Sequence, residues 1–418
     1  MMMNNSNPKY KYRCTNCNNE YNSSHQMYLC PDCSKLNTDN QPPKGVLKTV
    51  YNYAEIKSQI RDFQGLKNTC FIDLLPIENL ESLPVLKVGN TPLYKFNKLD
   101  NQELSFDLYL KDDSQNPTFS FKDRASAVVS AYAKEKGYET IVAASTGNAG
   151  SSLAGLCAAQ GQKAIIMVPE AAPIAKLTQI IMYGATIVPV KGTYDDAFDL
   201  SIKATEEFGW YNRNTAFNPF TIEGKKTVSF EIFDQLGEKT PDRIFVPVGD
   251  GVIISGVYKG FEDLLELGYI DKIPTIVMVQ SEGSDNIIRN LGKNIFKTKA
   301  SSTIADSISV DIPRNFYMTK QFIKKYNGEY ITVSDNEIIS ASKILSRNTG
   351  IFAEPAAAAA FAGFLSHKSN NKLENKSSNV VLLTGSGLKD LKSVNKALNI
   401  PEAIKPNIEN LKKFFYKK

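Results

Sequence analysis

The chain lacks several features that define large classes of proteins. None of its 418 residues belongs to an apolar stretch long enough to span a bilayer. The N-terminus from Met1 to Tyr12 is polar and lacks the apolar core of a signal peptide. The segment Gly249-Asp250-Gly251 lacks the third glycine and the downstream acidic residue of a dinucleotide-binding fingerprint. We therefore expect a cytoplasmic protein that is neither a membrane protein nor a nicotinamide-dependent enzyme.

Neither sign of charge dominates the composition. The 49 basic and 44 acidic residues give a net charge of +5, and 42% of the residues are hydrophobic, as in ordinary soluble proteins. Part of the basic excess lies in the C-terminal tail, residues 401–418, which we interpret as a solvated helix end rather than a nucleic-acid or membrane patch. No nucleic-acid or membrane partner is expected. The length favours two α/β lobes plus a small appendage.

Cysteine is scarce, but four of the six cysteines form a pattern. Cys14 and Cys17 make one pair and Cys30 and Cys33 another, with twelve residues between the pairs. Each pair fits a tight turn, and two such turns close a tetrahedral four-thiolate zinc site. We predict a structural zinc that staples a segment too short to build a core, with a nucleic-acid-binding ribbon as the alternative.

The other candidate ligands and thiols receive a different interpretation. His25 lies between the two pairs, but four cysteines already satisfy the metal. Nothing in the sequence indicates secretion, which disfavours a disulfide framework. Cys70 and Cys157 are therefore predicted to be packing residues.

Apolar runs alternate with helical stretches from Thr140 onward. Continuous apolar runs are typical of buried parallel strands, so the alternation predicts two α/β lobes with a cleft between them. The predicted strands are residues 140–144, 164–168, 186–190, 244–248, 275–279 and 380–383. The predicted helices are residues 149–159, 174–183, 195–208, 253–267 and, after a capping box at Ser334, 334–347.

Three of the predicted strands end in small, polar, glycine-bearing junctions. These are Ser145-Thr146-Gly147-Asn148, Gly249-Asp250-Gly251 and Thr384-Gly385-Ser386-Gly387. Ligands of open α/β sheets lie beyond the carboxyl ends of parallel strands, so the three junctions predict one ligand cradle.

A fourth segment supplies a reactive group. In Ser120-Phe121-Lys122-Asp123-Arg124, the lysine stands at the predicted start of a helix over residues 125–135. A cation at a helix N-terminus opposes the macrodipole, so this ammonium loses its proton more easily. A neutral amine can form a Schiff base with an aldehyde cofactor.

These segments resemble the fold-type II pyridoxal-phosphate enzymes. The segments at Lys122 and Asn148, Glu354-Pro355-Ala356, and Thr384 to Asp390 occur in the order and rough spacing of that family. The last segment resembles threonine synthases more than the serine and threonine dehydratases. The resemblance spans about Gly89 to Asp390. It implies a tryptophan synthase beta-like fold: two three-layer α/β lobes with mostly parallel sheets, the cofactor in the cleft, and a zinc-ribbon-like N-terminal segment.

The resemblance and the junctions together assign residues to pyridoxal 5'-phosphate. Lys122 holds the cofactor and moves protons between the substrate α, β and γ carbons. Asn148 contacts the cofactor ring, and Thr384 hydrogen-bonds its pyridine nitrogen. The backbone from Gly249 through Asp250, Gly251 and Val252 to Ile253 binds the cofactor phosphate at a helix start. The family usually carries asparagine where Asp250 stands, and a carboxylate beside a phosphate is unfavourable.

The predicted substrate contacts also depart from the family. Ser145 and Thr146 are assigned to the substrate carboxylate or phosphate. In the stretch from Asn218 to Thr227, threonine synthases carry arginine where Thr221 stands and glutamine where Lys225 stands. Because threonine offers no charged fork for a phosphate, Lys225 or Lys226 takes over or the substrate differs.

These assignments leave three functions open. The first is threonine synthase, a lyase that converts O-phosphohomoserine and water to threonine and phosphate. The second is an ammonia-lyase or β-replacement enzyme acting on a small amino acid, and the third is a catalytically silent cofactor-binding homologue acting through its zinc segment. A homodimer is expected. The predicted divisions are a cysteine-rich segment over 1–40, a large lobe over 41–125 and 225–400, a small mobile lobe over 126–224 and the tail.

Overall fold

A computed structural model describes residues 8–395, 398 and 400–416. The strands are β1 (Tyr10–Cys14), β2 (Glu20–Asn22), β3 (Leu47–Tyr51), β4 (Leu93–Leu99), β5 (Gln102–Asp112), β6 (Thr140–Ala144), β7 (Lys163–Pro169), β8 (Thr186–Val190), β9 (Tyr211–Asn212), β10 (Arg243–Pro247), β11 (Thr275–Ser281), β12 (Glu329–Val333) and β13 (Ser378–Leu383).

Helices connect most of these strands. They are α1 (Tyr53–Gln59), α2 (Phe63–Asn68), α3 (Lys122–Glu135), α4 (Asn148–Gln160), α5 (Ile174–Met182), α6 (Tyr194–Phe208), α7 (Phe220–Gln235), α8 (Val252–Leu267), α9 (Phe316–Lys325), α10 (Asp335–Thr349), α11 (Pro355–Ser369), α12 (Leu391–Asn395) and α13 (Ile408–Tyr416). Among the described helices, none is long and apolar enough to cross a bilayer.

The two larger sheets confirm the mostly parallel α/β prediction. The large lobe has a six-stranded sheet in the order β12-β11-β10-β13-β5-β4, in which only the pairing of β4 with β5 is antiparallel. The small lobe has a four-stranded parallel sheet in the order β8-β7-β6-β9. The strands β6 and β10 are buried along almost their whole length, as continuous apolar runs predict.

The predicted helices form close to their predicted bounds. The capping box at Ser334 is present, with the Ser334 hydroxyl accepting the Glu337 N–H and the Glu337 carboxylate accepting the Ser334 N–H. The helix predicted from residue 125 begins earlier, at Lys122, so the lysine is inside the first turn. The tail contains the exposed helix α13, and Lys417 and Lys418 lie outside the described residues.

The cysteine-rich segment forms a third sheet and is longer than the predicted range of 1–40. Its strand order is β2-β1-β3, and β1 pairs along its whole length with β3, from Tyr10 opposite Tyr51 to Cys14 opposite Leu47. The boundary at residue 40 would cut this sheet. We call residues 8–51 the cysteine module. It is a contiguous part of the main hydrophobic core, since Tyr12 stacks on Phe220 of α7 at 6.0 Å between ring centroids.

The four cysteine sulfurs of the predicted metal site meet in this module. The sulfurs of Cys14, Cys17, Cys30 and Cys33 all lie within 4.8 Å of one another. The imidazole of His25 is not among the atoms of this cluster. Cys157 is buried, as predicted, but Cys70 is exposed. The interpretation of Cys70 as a packing residue is therefore wrong, because it lies in a turn after α2 with a positive φ of 51°.

Candidate active site

A cavity of about 560 Å³ lies between the two lobes. Its wall combines Lys122, the α4 start, the β10–α8 junction and a loop of the large lobe before α9. The predicted site residues that line it are Lys122, Ser145, Thr146, Asn148, Lys225, Gly249, Asp250, Gly251, Val252 and Ile253. Asn218, Thr221 and Thr384 are not among its lining residues.

The backbone next to Lys122 is hydrogen-bonded to the junction after β13, whose Thr384 does not line the cavity. The Phe121 N–H donates to the Thr384 carbonyl at 2.9 Å, and Ser120 forms a β-bridge with Gly385. This contact sets the direction in which the helix α3 leaves the large-lobe sheet. Thr384 therefore lies next to the Lys122 backbone, although its contact with a cofactor stays a prediction.

The Lys122 ammonium has the electrostatic setting of an amine that gives up its proton. Burial lowers its pKa, the Arg213 guanidinium lowers it further, and the carboxylates of Glu354 and Asp250 oppose the shift. Within the described part of the chain, no side chain lies within hydrogen-bonding or ion-pair distance of Lys122 Nζ. A lysine without a partner at a lowered pKa is available as a nucleophile and a base.

The residues after Lys122 hold the first turn of α3 in place. Asp123 accepts the Thr118 N–H at 2.7 Å. The Arg124 guanidinium is buried and donates to Asp113 at 2.6 Å and to Glu231 at 2.6 Å. A buried guanidinium held by two carboxylates is rigid, so these residues position the helix start.

Asn148 is held by a glutamate from the other lobe. Its amide nitrogen donates to the two carboxylate oxygens of Glu354 at 3.1 and 3.0 Å. A Cβ at Gly385 would lie 2.5 Å from Glu354 Oε1, so only glycine allows this close approach. Burial raises the pKa of Glu354, and the hydrogen bond from Asn148 opposes that shift. The Glu354-Pro355 turn thus reaches the cavity through Asn148.

The junction after β10 presents a helix N-terminus to the cavity. Gly251 has φ +88°, a left-handed conformation that suits glycine, and α8 begins at Val252. The first amides of a helix have no intrahelical acceptor and carry its positive dipole end, so this start is suited to a phosphate group.

The unexpected Asp250 in this junction has a structural partner. Its carboxylate accepts the Arg314 N–H at 2.7 Å, and its carbonyl accepts the Asn315 N–H at 3.1 Å. Burial raises the Asp250 pKa, while Arg314, Lys225 and Lys122 oppose the shift. Asp250 therefore holds the loop before α9 in place. This structural role explains why a carboxylate is present near a predicted phosphate site.

Asn218 and Thr221 hold the start of α7. The Thr221 hydroxyl donates to the Asn218 carbonyl at 2.8 Å, and the Asn218 amide donates to the Asn212 carbonyl at 2.7 Å. Both side chains are fully buried. In this conformation neither reaches the cavity, so their roles as substrate contacts stay predictions that its lining does not support.

Several residues of the site went unnoticed in the sequence. Tyr194 and Asp195 at the start of α6, and Arg314 from the large lobe, line the cavity. Arg314 pairs with Asp195 and lies 3.7 Å from the Phe198 ring centroid, so it joins the two lobes. These residues carry no local motif. Only the capping box at Thr193 marks this helix start in the sequence.

Lys389 is a second link between the lobes. Its ammonium donates to the Thr118 carbonyl at 3.1 Å, Ser151 Oγ at 2.8 Å and Gln179 Oε1 at 2.7 Å. Burial lowers the Lys389 pKa to about 8. Lys389 belongs to the segment from Thr384 to Asp390 that follows β13. The sequence did not predict that Lys389 joins this segment to α4 and α5.

The residues of this cavity have the set of groups that a pyridoxal cofactor requires. Lys122, which has a lowered pKa and no partner among the described residues, faces the same space as a helix N-terminus that suits a phosphate. The family model of the pyridoxal-phosphate dependent enzymes matches residues 85–385, which include both groups. The fold and the site thus define a pyridoxal-phosphate-dependent enzyme.

Comparison with characterised proteins narrows that class. The chain is 35% identical over 409 residues to the threonine synthase of Methanocaldococcus jannaschii, covering 96% of this chain and 98% of that protein. It is 33% identical to the threonine synthase of Methanosarcina acetivorans, covering 98% and 99%. This chain belongs to the threonine synthase family of pyridoxal-phosphate-dependent lyases.

A solved structure shows the same fold at lower identity. The processed form of threonine deaminase isoform 2 from Solanum lycopersicum superimposes with a TM-score of 0.64 at 22% identity, covering 77% of this chain and 90% of that one. Similarity at this level establishes the shared architecture and does not choose between the activities of the two proteins.

Proposed function

We propose that this enzyme converts O-phosphohomoserine and water to threonine and phosphate. The observation that carries the proposal is the Lys122 ammonium, which has no partner in the described part of the chain and shares its cavity with two helix N-terminal junctions. Full-length similarity to threonine synthases supports it.

The residues of the cavity suit each part of this reaction. The start of α8 holds the cofactor phosphate, and Ser145 and Thr146 at the start of α4 hold the substrate carboxylate. When bound, pyridoxal 5'-phosphate supplies an electron sink for carbon acids. The γ-carbon–oxygen bond breaks with loss of phosphate, and water supplies the hydroxyl group at the β-carbon. The Lys122 amine moves protons among the α, β and γ carbons.

A substrate screen tests this function directly. Purified enzyme with added cofactor should release phosphate from O-phosphohomoserine and produce threonine. The same preparation should form little keto acid from threonine or serine. Keto-acid release from those amino acids, without phosphate release from O-phosphohomoserine, would replace the proposed reaction with that of an ammonia-lyase.

We further propose that the four cysteines bind a structural zinc ion. The mutual distances of their sulfurs suit one tetrahedral ion, and the pairs sit at the turns that the sequence predicts. Cys30→Ser should lose the metal, measured by elemental analysis of protein purified without chelators. One metal ion per wild-type chain and none in the variant is the expected result, whereas metal-free wild type would contradict the proposal.

We also propose that the enzyme is located in the cytoplasm and forms a homodimer. Light scattering of the purified protein would give its mass in solution, to compare with 46.3 kDa for one chain.

A further inference from the structure

The ammonium of Lys389 connects three segments that meet beside the cavity. Lys389 follows β13, and its Nζ donates to the Thr118 carbonyl in the loop before α3 at 3.1 Å. It also donates to Ser151 Oγ of α4 at 2.8 Å and to Gln179 Oε1 of α5 at 2.7 Å. These three acceptors match the three protons of an ammonium, whereas a neutral amine has two protons. The charged form of Lys389 therefore fits this position.

The first of these segments carries Lys122. The Thr118 N–H donates to the Asp123 carboxylate at 2.7 Å, and the Thr118 hydroxyl donates to the same carboxylate. Asp123 follows Lys122 in the first turn of α3. Because Lys389 binds the carbonyl of Thr118 and Asp123 binds its N–H and hydroxyl, a shift of this loop would move the start of α3 with it.

The second and third segments belong to the small lobe. Ser151 lies one turn after Asn148 on α4, and Asn148 donates to Glu354 of the large lobe at 3.1 Å. The helix α5, which carries Gln179, packs against α4. Lys389 therefore fixes the start of α4 relative to the loop that carries Lys122. A displacement of about 1 Å in groups that orient a substrate can cost roughly 10²-fold in rate.

We propose that Lys389 is a positioning residue that sets the distance between Lys122 and the start of α4 by fastening the small lobe to the large lobe. Lys389 is not among the residues that line the cavity, so it acts through Thr118 and Ser151 and not on a bound molecule. The kinetic part of its test rests on the proposed function, whereas the structural part does not.

The charge of Lys389 makes this fastening sensitive to pH. Burial lowers its pKa to about 8, and the carboxylates of Glu354 and Asp123 oppose the shift. The helix α4 has no charged residue, and Lys176, the charged residue of α5, pairs with Asp306 of the large lobe at 2.7 Å. The ammonium therefore supplies all three hydrogen bonds below about pH 8, and one donor is lost as the pH rises through that value.

Removal of the amine tests the positioning role. Lys389→Met keeps a side chain of similar length and should lower kcat for O-phosphohomoserine roughly 10- to 100-fold, with KM changed less than about threefold. Hydrogen–deuterium exchange of the cofactor-loaded enzyme, measured by mass spectrometry of peptides, should become faster at the amides of α4 and α5. The buried strand β11 of the large-lobe sheet is the internal reference and should exchange at the wild-type rate.

A change at one acceptor tests the charge without removing the lysine. Gln179→Glu replaces the accepting amide oxygen with a carboxylate of similar shape, which stabilises the ammonium and raises the Lys389 pKa. The decline of kcat at alkaline pH should therefore move upward by roughly one pH unit or more. Gln64→Glu, at an exposed glutamine of α2, adds the same charge on a different helix and should leave the profile unchanged. If Lys389→Met does not fold, this pair of profiles decides.

The outcomes separate this role from the reaction itself. Unchanged kcat in Lys389→Met, unchanged exchange of α4 and α5, or identical pH profiles for Gln179→Glu and Gln64→Glu would overturn the positioning role, while wild-type phosphate release would still support the reaction. Wild-type enzyme that releases no phosphate from O-phosphohomoserine would overturn the proposed function, while faster exchange in Lys389→Met would still support the fastening by Lys389.

Discussion

Two adjacent lysines of α7 lie in opposite electrostatic environments. Lys225 lines the cavity and has no carboxylate at contact distance among the described residues. Lys226 is equally buried but lies 2.5 Å from Glu223 Oε2 and 2.7 Å from Asp263 Oδ2. Neighbouring helical positions are about 100° apart, so the same helix presents one cation to the cavity and one to the scaffold.

Lys226 belongs to a buried cluster of paired charges, and a tyrosine of the cysteine module donates a hydrogen bond to this cluster. The Tyr51 hydroxyl at the end of β3 donates to Glu223 Oε2 at 2.7 Å, and the Tyr53 hydroxyl donates to Asp263 Oδ1 at 2.6 Å. Lys259 pairs with Asp263 as well. Paired buried charges resist displacement, whereas an unpaired cation is available for a ligand. We therefore interpret Lys226 as a structural residue and propose Lys225 as a ligand-binding one.

The largest effect should come from Lys122, which also lines the cavity and has no carboxylate at contact distance among the described residues. Lys122→Ala should reduce turnover by roughly 10²- to 10⁴-fold through loss of proton transfer alone. It should also abolish the visible absorbance of a lysine-bound pyridoxal cofactor. Borohydride trapping followed by peptide mapping is the check, and an adduct on any other lysine would contradict the assignment.

Removing the paired lysine should damage stability rather than chemistry. Lys226→Met leaves Glu223 and Asp263 with less compensation for their buried charges, and breaking a buried pair costs about 3–5 kcal/mol. Denaturant unfolding of the variant beside wild type measures this loss. A free energy of unfolding within 1 kcal/mol of wild type would show that the cluster is not the scaffold described above.

A smaller loss should follow when the cysteine module is disconnected from α7. Tyr51→Phe removes a hydrogen bond to a buried carboxylate, which contributes about 1.5–3 kcal/mol. Equilibrium unfolding should show that decrease, and metal content should stay at the wild-type value because the cysteines are untouched. Tyr94→Phe, at an exposed tyrosine of β4, is a matched control that should change stability little.

The smallest effect on stability is expected at the unpaired Lys225. Lys225→Met replaces an uncompensated buried cation with an apolar side chain of similar volume, so the free energy of unfolding should fall by less than about 1.5 kcal/mol or should rise. Lys226→Met should lower the free energy of unfolding strongly and Lys225→Met should not, so measuring both variants tests the comparison most directly. A loss as large as that of Lys226→Met would remove the distinction.

The same variant should also change the pH dependence of stability. The pKa of Lys225 is below its ordinary value of 10.5 in the folded protein, so the unfolded chain binds more protons in the window below pH 10.5. Wild-type stability should therefore fall relative to Lys225→Met as pH is lowered from 10.5 towards the folded pKa. Unfolding curves across that range measure the difference, and a constant difference would contradict the shift.

The sequence alone was sufficient for the fold class and for the part of the cavity wall at the strand ends, but not for the part formed by the start of α6 and the loop before α9. Continuous apolar runs predicted the parallel strands because a strand buried on both faces needs no polar alternation. The junctions at Asn148 and Gly251 were predictable because the carboxyl ends of parallel strands meet at one edge. The cysteine spacing predicted a cluster whose sulfurs the fold brings together.

Only the tertiary structure decided which polar side chains have partners. Asn218, Thr221, Lys225 and Lys226 stand within nine residues of sequence, and nothing local distinguishes a helix cap from a cavity lysine or a scaffold lysine. Arg213 carries no motif, and only the packing of α3 and β6 around it shows that its Nη2 has no hydrogen-bond partner among the described residues. The physical reason is that hydrogen bonds and ion pairs of buried groups depend on residues distant in sequence, whereas strand and helix patterns depend on neighbours.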